Sequence, residues 1–169
     1  GMMRSFLNVG INTSIAESLA SKKEFRWAAW DSYRRFLQTW GMFQGQSRDF
    51  FDAIMDGFKH KHGVERKIQF PADQMKQIAL AYKKGILDSG IPLADDPLRQ
   101  LRHAILQVFD SWYSEQAQIY RHQMRLSDEW GTAVIVQAMV FGNFHERSGS
   151  GVIFTRDPKS ASAEVTLYG

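Results

Sequence analysis

The sequence predicts an α+β fold, with a mainly helical subdomain over residues 12–125 followed by a small β-sheet over 130–169. Three observations carry this. Before residue 126, apolar residues recur at spacings of three and four in successive amphipathic runs. After Trp130-Gly131 the pattern changes to Thr132-Ala133-Val134-Ile135-Val136-Gln137-Ala138-Met139-Val140, a β-branched run apolar on both faces. Ser148-Gly149-Ser150-Gly151 then marks a turn between two such runs. Residues 1–169 as a whole read as one partial domain.

Each element has a local reason. Residues 2–10 form a short apolar lead ending at Gly10, either a strand or a loop. Asn12 or Thr13 caps a short helix with Ile15 and Leu19, which ends near Ser21. Residues 24–40 form a helix with Phe25, Ala29, Tyr33, Phe36, Leu37 and Trp40 on one face, and Gly41 and Gly45 break it. Residues 47–60 place Phe50, Phe51, Ile54, Met55 and Phe58 at helical spacing up to Gly63. Pro71 in a first turn and Asp73 behind it start the next helix. Met75, Ile78, Ala79, Tyr82 and Ile86 are its apolar face, and Gly90 closes it.

Asp96 as cap and Pro97 at the first helical position start a run of Leu98, Leu101, Ile105, Val108, Phe109 and Trp112. A further helix near 114–125 carries Ala117, Tyr120 and Met124. Beyond it, 132–140 is expected as a buried strand paired in a hairpin with Val152–Thr155, and 164–168 as a third strand. A sheet this apolar calls for further strands beside it.

Composition bounds the function. The chain has 169 residues, 44% hydrophobic and 23% charged, which excludes a disordered chain, a collagen or a coiled-coil rod. A chain this long buries roughly 70% of its unfolded surface. Twenty-one basic and 18 acidic residues leave a net charge of +3, with no block of five like charges, so no nucleic-acid partner is expected. No apolar stretch reaches the length of a membrane span, and the N-terminus lacks the apolar core of a signal peptide, so no membrane partner is expected. There are no cysteines, which excludes disulfides and thiolate chemistry and accords with a cytoplasmic location. Aromatics make up 13% of the chain and suit either an aromatic core or a face meant for another domain.

Few residues carry chemistry. Arg147-Ser148-Gly149-Ser150-Gly151 is either a backbone cradle for a phosphate or a plain hairpin loop, and no Gly-Lys-Ser/Thr makes it a Walker loop. His60-Lys61-His62 reads as a solvated helix end, because residues two apart do not share a helix face. Asp31-Ser32-Tyr33-Arg34-Arg35 offers either a grip on phosphates and carboxylates or salt bridges within the helical subdomain; Arg121 has the same two readings. His103, His122 and His145 are isolated, and no catalytic residue and no metal ligand is assigned.

The order and spacing of several motifs resemble the pyruvate phosphate dikinase family over essentially the whole chain. They are Gly1-Met2-Met3 with Asn8-Val9-Gly10-Ile11-Asn12, Asp31-Ser32-Tyr33-Arg34-Arg35-Phe36, the run from Trp130 to Asn143, and the run from Ser148 to Pro158. The resemblance implies part of a truncated ATP-grasp-like nucleotide-binding domain. In the full-length family that domain binds ATP and magnesium and passes a phosphoryl group to a histidine on a swivelling domain. A third domain then makes phosphoenolpyruvate from pyruvate. The resemblance places Gly1, Ser148, Gly149, Ser150 and Gly151 over the ATP polyphosphate, and Gln137 and Met139 along the adenine pocket.

This chain departs from the family in having Arg4 where aspartate is usual, Ser150 for threonine, and Asp157 for asparagine. The family's lysine, its phosphate-gripping arginine, its acidic metal ligands and its other two domains are expected outside these residues. The chain alone is accordingly expected to be inactive, with weak or no ATP binding. Its partners would be a nucleotide and the remaining dikinase domains or a partner chain. An exposed sheet or aromatic surface would allow a homo-oligomer. The alternative is a non-catalytic remnant or a helical interaction module.

Overall fold

The computed structural model describes residues 5–144, 147–157, 160 and 165–168. The fold is α+β, mainly helical with a small antiparallel sheet. The chain divides into two compact units, residues 1–139 and 140–169.

Among the described residues the first unit holds six α-helices: α1 (Thr13–Ala20), α2 (Arg26–Phe43), α3 (Arg48–His62), α4 (Ala72–Asp88), α5 (Pro97–Asp110) and α6 (Glu115–Met124). Short 3₁₀ turns at Lys23–Phe25, Lys67–Gln69 and Ser111–Tyr113 link them. Their ends follow the capping chemistry of the sequence. The Asn12 side chain accepts from the Ile15 amide at 2.8 Å, and Asp96 accepts from the Arg99 amide at 2.7 Å ahead of Pro97. Ser47 and Ser114 cap α3 and α6 in the same way. Gly63 and Gly90 end α3 and α4 at φ of +65° and +73°, a conformation open to glycine.

The core lies where α2 packs on α4, with α1 and α3 against its sides. Phe25, Ala29, Tyr33, Phe36, Leu37 and Trp40 are buried from α2 and the turn before it; Met75, Ile78, Ala79, Tyr82 and Ile86 are buried from α4. This is the apolar face the spacing predicts for each. Polar groups in the core are tied. The Tyr82 hydroxyl donates to the Phe51 carbonyl at 2.9 Å, and the Trp40 indole donates to the Pro92 carbonyl at 2.9 Å. Gln100 accepts from the Gly10 amide at 2.9 Å and donates to the Ala94 carbonyl at 2.8 Å, fixing α5 to the N-terminal lead. No helix among the described residues is long and apolar enough to cross a membrane.

Several expectations are corrected. Gly41 lies inside α2 rather than breaking it; its missing side chain makes room for Phe51 of α3. Pro71 is the cap of α4, one position before its first turn. The α5 and α6 faces are only partly covered: Leu98, Phe109, Tyr120 and Met124 are exposed. Residues 132–140 form no strand and lie mostly exposed. A strand needs a ladder partner, and none of the described residues supplies one to this run.

The second unit contains β1 (Val152–Phe154) and β2 (Thr166–Tyr168), paired antiparallel with Val152 opposite Tyr168 and Phe154 opposite Thr166. The expected hairpin therefore has a different partner: β1 pairs with the 166–168 strand rather than with 132–140.

Candidate functional site

The Gly/Ser loop leads directly into β1. Arg147, Gly149, Ser150 and Gly151 are exposed and Ser148 is half-buried. A β-carbon added at Gly149 would meet no atom within 4 Å, so the space beside that residue is open. The loop is shaped from behind by Gly142. A β-carbon there would sit 2.8 Å from Ser150 Cβ, 2.9 Å from its Oγ and 3.0 Å from the Gly149 carbonyl carbon. Only glycine allows that approach. The sequence gives Gly142 no local signal of this role, because its neighbour in space is seven or eight residues away in the chain.

Chemically the loop offers backbone N–H donors without steric cost and the Ser150 hydroxyl. Among the other residues assigned to nucleotide, Gln137 and Met139 are exposed and belong to the first unit. Gly1 and His145 lie outside the described residues.

The arginine pair resolves differently. Asp31 is fully buried. Its Oδ1 accepts from Arg34 Nε at 3.0 Å and from Lys67 Nζ at 2.9 Å, and its Oδ2 accepts from Arg35 Nε at 3.0 Å. Arg34 also reaches Gln38 at 2.9 Å and lies 5.7 Å from the Tyr82 ring centre. Of the two readings of this segment, the structure carries the salt-bridge one, and it adds Lys67 from a distant 3₁₀ turn. Burial alone would push the Asp31 carboxyl up. The cations of Arg34, Lys67 and Arg35 outweigh it and hold the carboxyl below the ordinary carboxylate value. Burial pushes the Lys67 ammonium down, and Asp31 only partly opposes this because two guanidiniums share the same carboxylate.

Arg121 is likewise structural. It donates to Asp128 at 2.7 Å and to the Trp112 carbonyl at 2.6 Å, with its guanidinium 4.1 Å from the Trp112 ring centre. His60 and Lys61 are exposed in the last turn of α3, where positive charge suits the helix C-terminus. His62 is half-buried between Phe58 and Phe70 and pairs with Gln74 at 3.1 Å. His103 lies against Trp40, with ring centres 4.7 Å apart and planes tilted by 38°, and contacts Gln44 at 2.6 Å. Among the described residues, no three His, Asp or Glu side chains converge as a metal site.

A helical unit and a short β-pair led by a Gly/Ser loop put the chain in the α+β class. Over residues 1–168 the sequence matches the pyruvate phosphate dikinase AMP/ATP-binding domain, and the chain belongs to that family. It is 40% identical to pyruvate, phosphate dikinase 2 of Zea mays, over all of this chain and 19% of that protein. It is 39% identical to the pyruvate, phosphate dikinase of Rhizobium meliloti (strain 1021), again over the whole chain and 19% of the relative. The enzyme of Clostridium symbiosum is 38% identical over the whole chain and 20% of its own length. The chain thus spans about a fifth of the length of these relatives.

Proposed function

We propose that this chain is the part of a dikinase nucleotide-binding domain that lays the backbone of Ser148–Gly151 along the polyphosphate of ATP. The observation that carries the reading is the open space beside Gly149, backed by Gly142, in a member of an AMP/ATP-binding family. Phosphoryl transfer asks a protein for positioning and charge neutralisation more than for covalent chemistry. Fixed amide dipoles meet part of that demand. The assignment of Gln137 and Met139 to adenine, and of Gly1 to the polyphosphate, rests on the family resemblance alone. Among the described residues, no three acidic or imidazole side chains come together for magnesium.

The full dikinase reaction, ATP with pyruvate and phosphate to phosphoenolpyruvate, AMP and diphosphate, needs the domains that fill the other four-fifths or so of the relatives. We propose that these 169 residues alone do not turn it over. Three or four neutral hydrogen bonds, each about 0.5–1.5 kcal/mol net, at best match the low end of the association cost, about 4 kcal/mol and upward. ATP should therefore bind at millimolar strength or not measurably.

A titration followed by amide NMR tests this. Shifts confined to 148–151 and lost in Gly151→Ile support it. Micromolar affinity, or shifts elsewhere that survive Gly151→Ile, would overturn it. A second reading, a helical interaction module, draws on the exposed Leu106, Phe109, Tyr113, Ile119 and Met124 of α5, α6 and the turn between them. It gains if no amide in 148–151 responds to ATP.

A further inference from the structure

A helix at a protein surface carries apolar side chains on one side and polar ones on the other. α5 is apolar on two. Gln100 and Ala104 mark its inner side and are buried. At about 100° per residue, Leu98, Leu106 and Phe109 fall on the opposite side, and all three are exposed, Leu98 to 75%. The row continues into the turn after the helix, where Tyr113 is 73% exposed. Tyr113 and Ile119 of α6 then wall one open hollow of about 650 Å³. Arg121, at the same hollow, is held by Asp128, by the Trp112 carbonyl and over the Trp112 ring, so that wall is fixed.

A helix with two apolar sides belongs between two layers of structure. The inner layer is this chain's own, since Gln100 ties α5 to Gly10 and Ala94. The outer side is left open. A second copy of the chain is a poor match for it, because a specific contact takes about 20–30 residues a side and the row holds only a few side chains. A further part of the same polypeptide needs no such area, because the tether already brings it close. The chain matches two relatives along its whole length and spans 19% and 20% of them, which leaves about four-fifths of each to supply such a layer.

We propose that the outward side of α5, continued by Tyr113 and Ile119, seats another part of this protein's own polypeptide. The occupant is an apolar layer from dikinase sequence outside these 169 residues, with one side chain set in the hollow. The proposal rests on the reading of the chain as part of a longer dikinase and not on the assignment of Ser148–Gly151 to ATP.

Carbene footprinting tests it, because the probe marks open surface whatever the side chain. It is applied to the 169-residue chain and to the intact dikinase of Clostridium symbiosum, each position scaled to its labelling in the unfolded protein. Leu98, Leu106, Phe109 and Tyr113 should label strongly in this chain, and the aligned positions of the intact relative should lose most of that labelling. Full labelling of the aligned positions would overturn the proposal. Labelling of this chain that falls as its concentration rises would also overturn it, in favour of a second copy. Phe109→Glu should leave the thermal unfolding of the 169-residue chain in place; a lowered transition would show that this side already packs within the chain and would overturn the proposal. None of these readouts involves ATP, so their failure leaves the nucleotide reading of Ser148–Gly151 standing.

Discussion

Gly41 of α2 lies so close to Phe51 of α3 that a β-carbon at 41 would sit 2.6 Å from Phe51 Cζ and 3.4 Å from Ile86 Cγ1. Phe51 and Ile86 are both fully buried, so neither can move aside. Two effects oppose each other in Gly41→Ala. Helix propensity favours alanine by about 1 kcal/mol, whereas overpacking a filled core costs about 1–3 kcal/mol. With both neighbours immobile, packing wins and Gly41→Ala should destabilise. Gly57 of α3 provides the contrast, since its added β-carbon meets nothing within 4 Å. Gly57→Ala should stabilise by about 0.5–1 kcal/mol. Urea denaturation of the two variants checks the opposite signs.

Asp31 should set part of the acid limit of stability. Its carboxyl is held below its ordinary value of 3.8 in the folded chain. A carboxyl depressed in this way binds protons less readily folded than unfolded. Its contribution is therefore fully present above about pH 4 and is lost as pH falls through the lower native value. Asp31→Asn leaves the buried Arg34 without its counter-charge, a loss of about 3–5 kcal/mol near neutral pH. The gap between wild type and Asp31→Asn should be flat at neutral pH and narrow in acid. Lys67→Met should cost much less, because burial already disfavours that ammonium and Arg34 and Arg35 remain on the carboxylate. Chemical denaturation at several pH values measures both. A gap independent of pH below 4 would remove the linkage argument.

Much of the helical unit is legible in the sequence because its signals are local. Asn12, Asp96-Pro97, Gly63 and Gly90 each act within one turn, and each stands where its chemistry requires. What sequence spacing misses is tertiary. A glycine reads as a helix stop, yet Gly41 is in the helix to admit Phe51 from another element. Lys67 joins Asp31 across 36 residues, and no spacing rule reaches that far. The 132–140 run has strand chemistry, but periodicity cannot report whether a partner strand lies beside it. At the candidate site the glycines and serines of 148–151 are visible in sequence as a small, open loop, while Gly142, which supports that loop, is visible only in three dimensions.

Gly142 offers the most direct test of the loop. Gly142→Ala would push a methyl group to 2.8 Å from Ser150 Cβ and 3.0 Å from the Gly149 carbonyl carbon. The loop backbone must shift to accept it, since one of those contacts is main chain. If the amides of 148–151 hold the polyphosphate, a displacement of this kind misaligns several donors together. Hydrogen bonds weaken steeply with distorted angles, and losing about 1.4 kcal/mol already lowers affinity tenfold. ATP-induced shifts in the wild-type amides should therefore shrink at least tenfold in Gly142→Ala at equal ATP. Thermal unfolding followed by helical dichroism should stay put, because Gly142 belongs to the second unit and the helices to the first. Replacing Ser150 with glycine in the same variant removes the clash with the side chain but not with the main chain, so it should restore binding only in part. Full restoration would place the strain on the serine alone, and unchanged binding in Gly142→Ala would show that the polyphosphate does not rest on this loop.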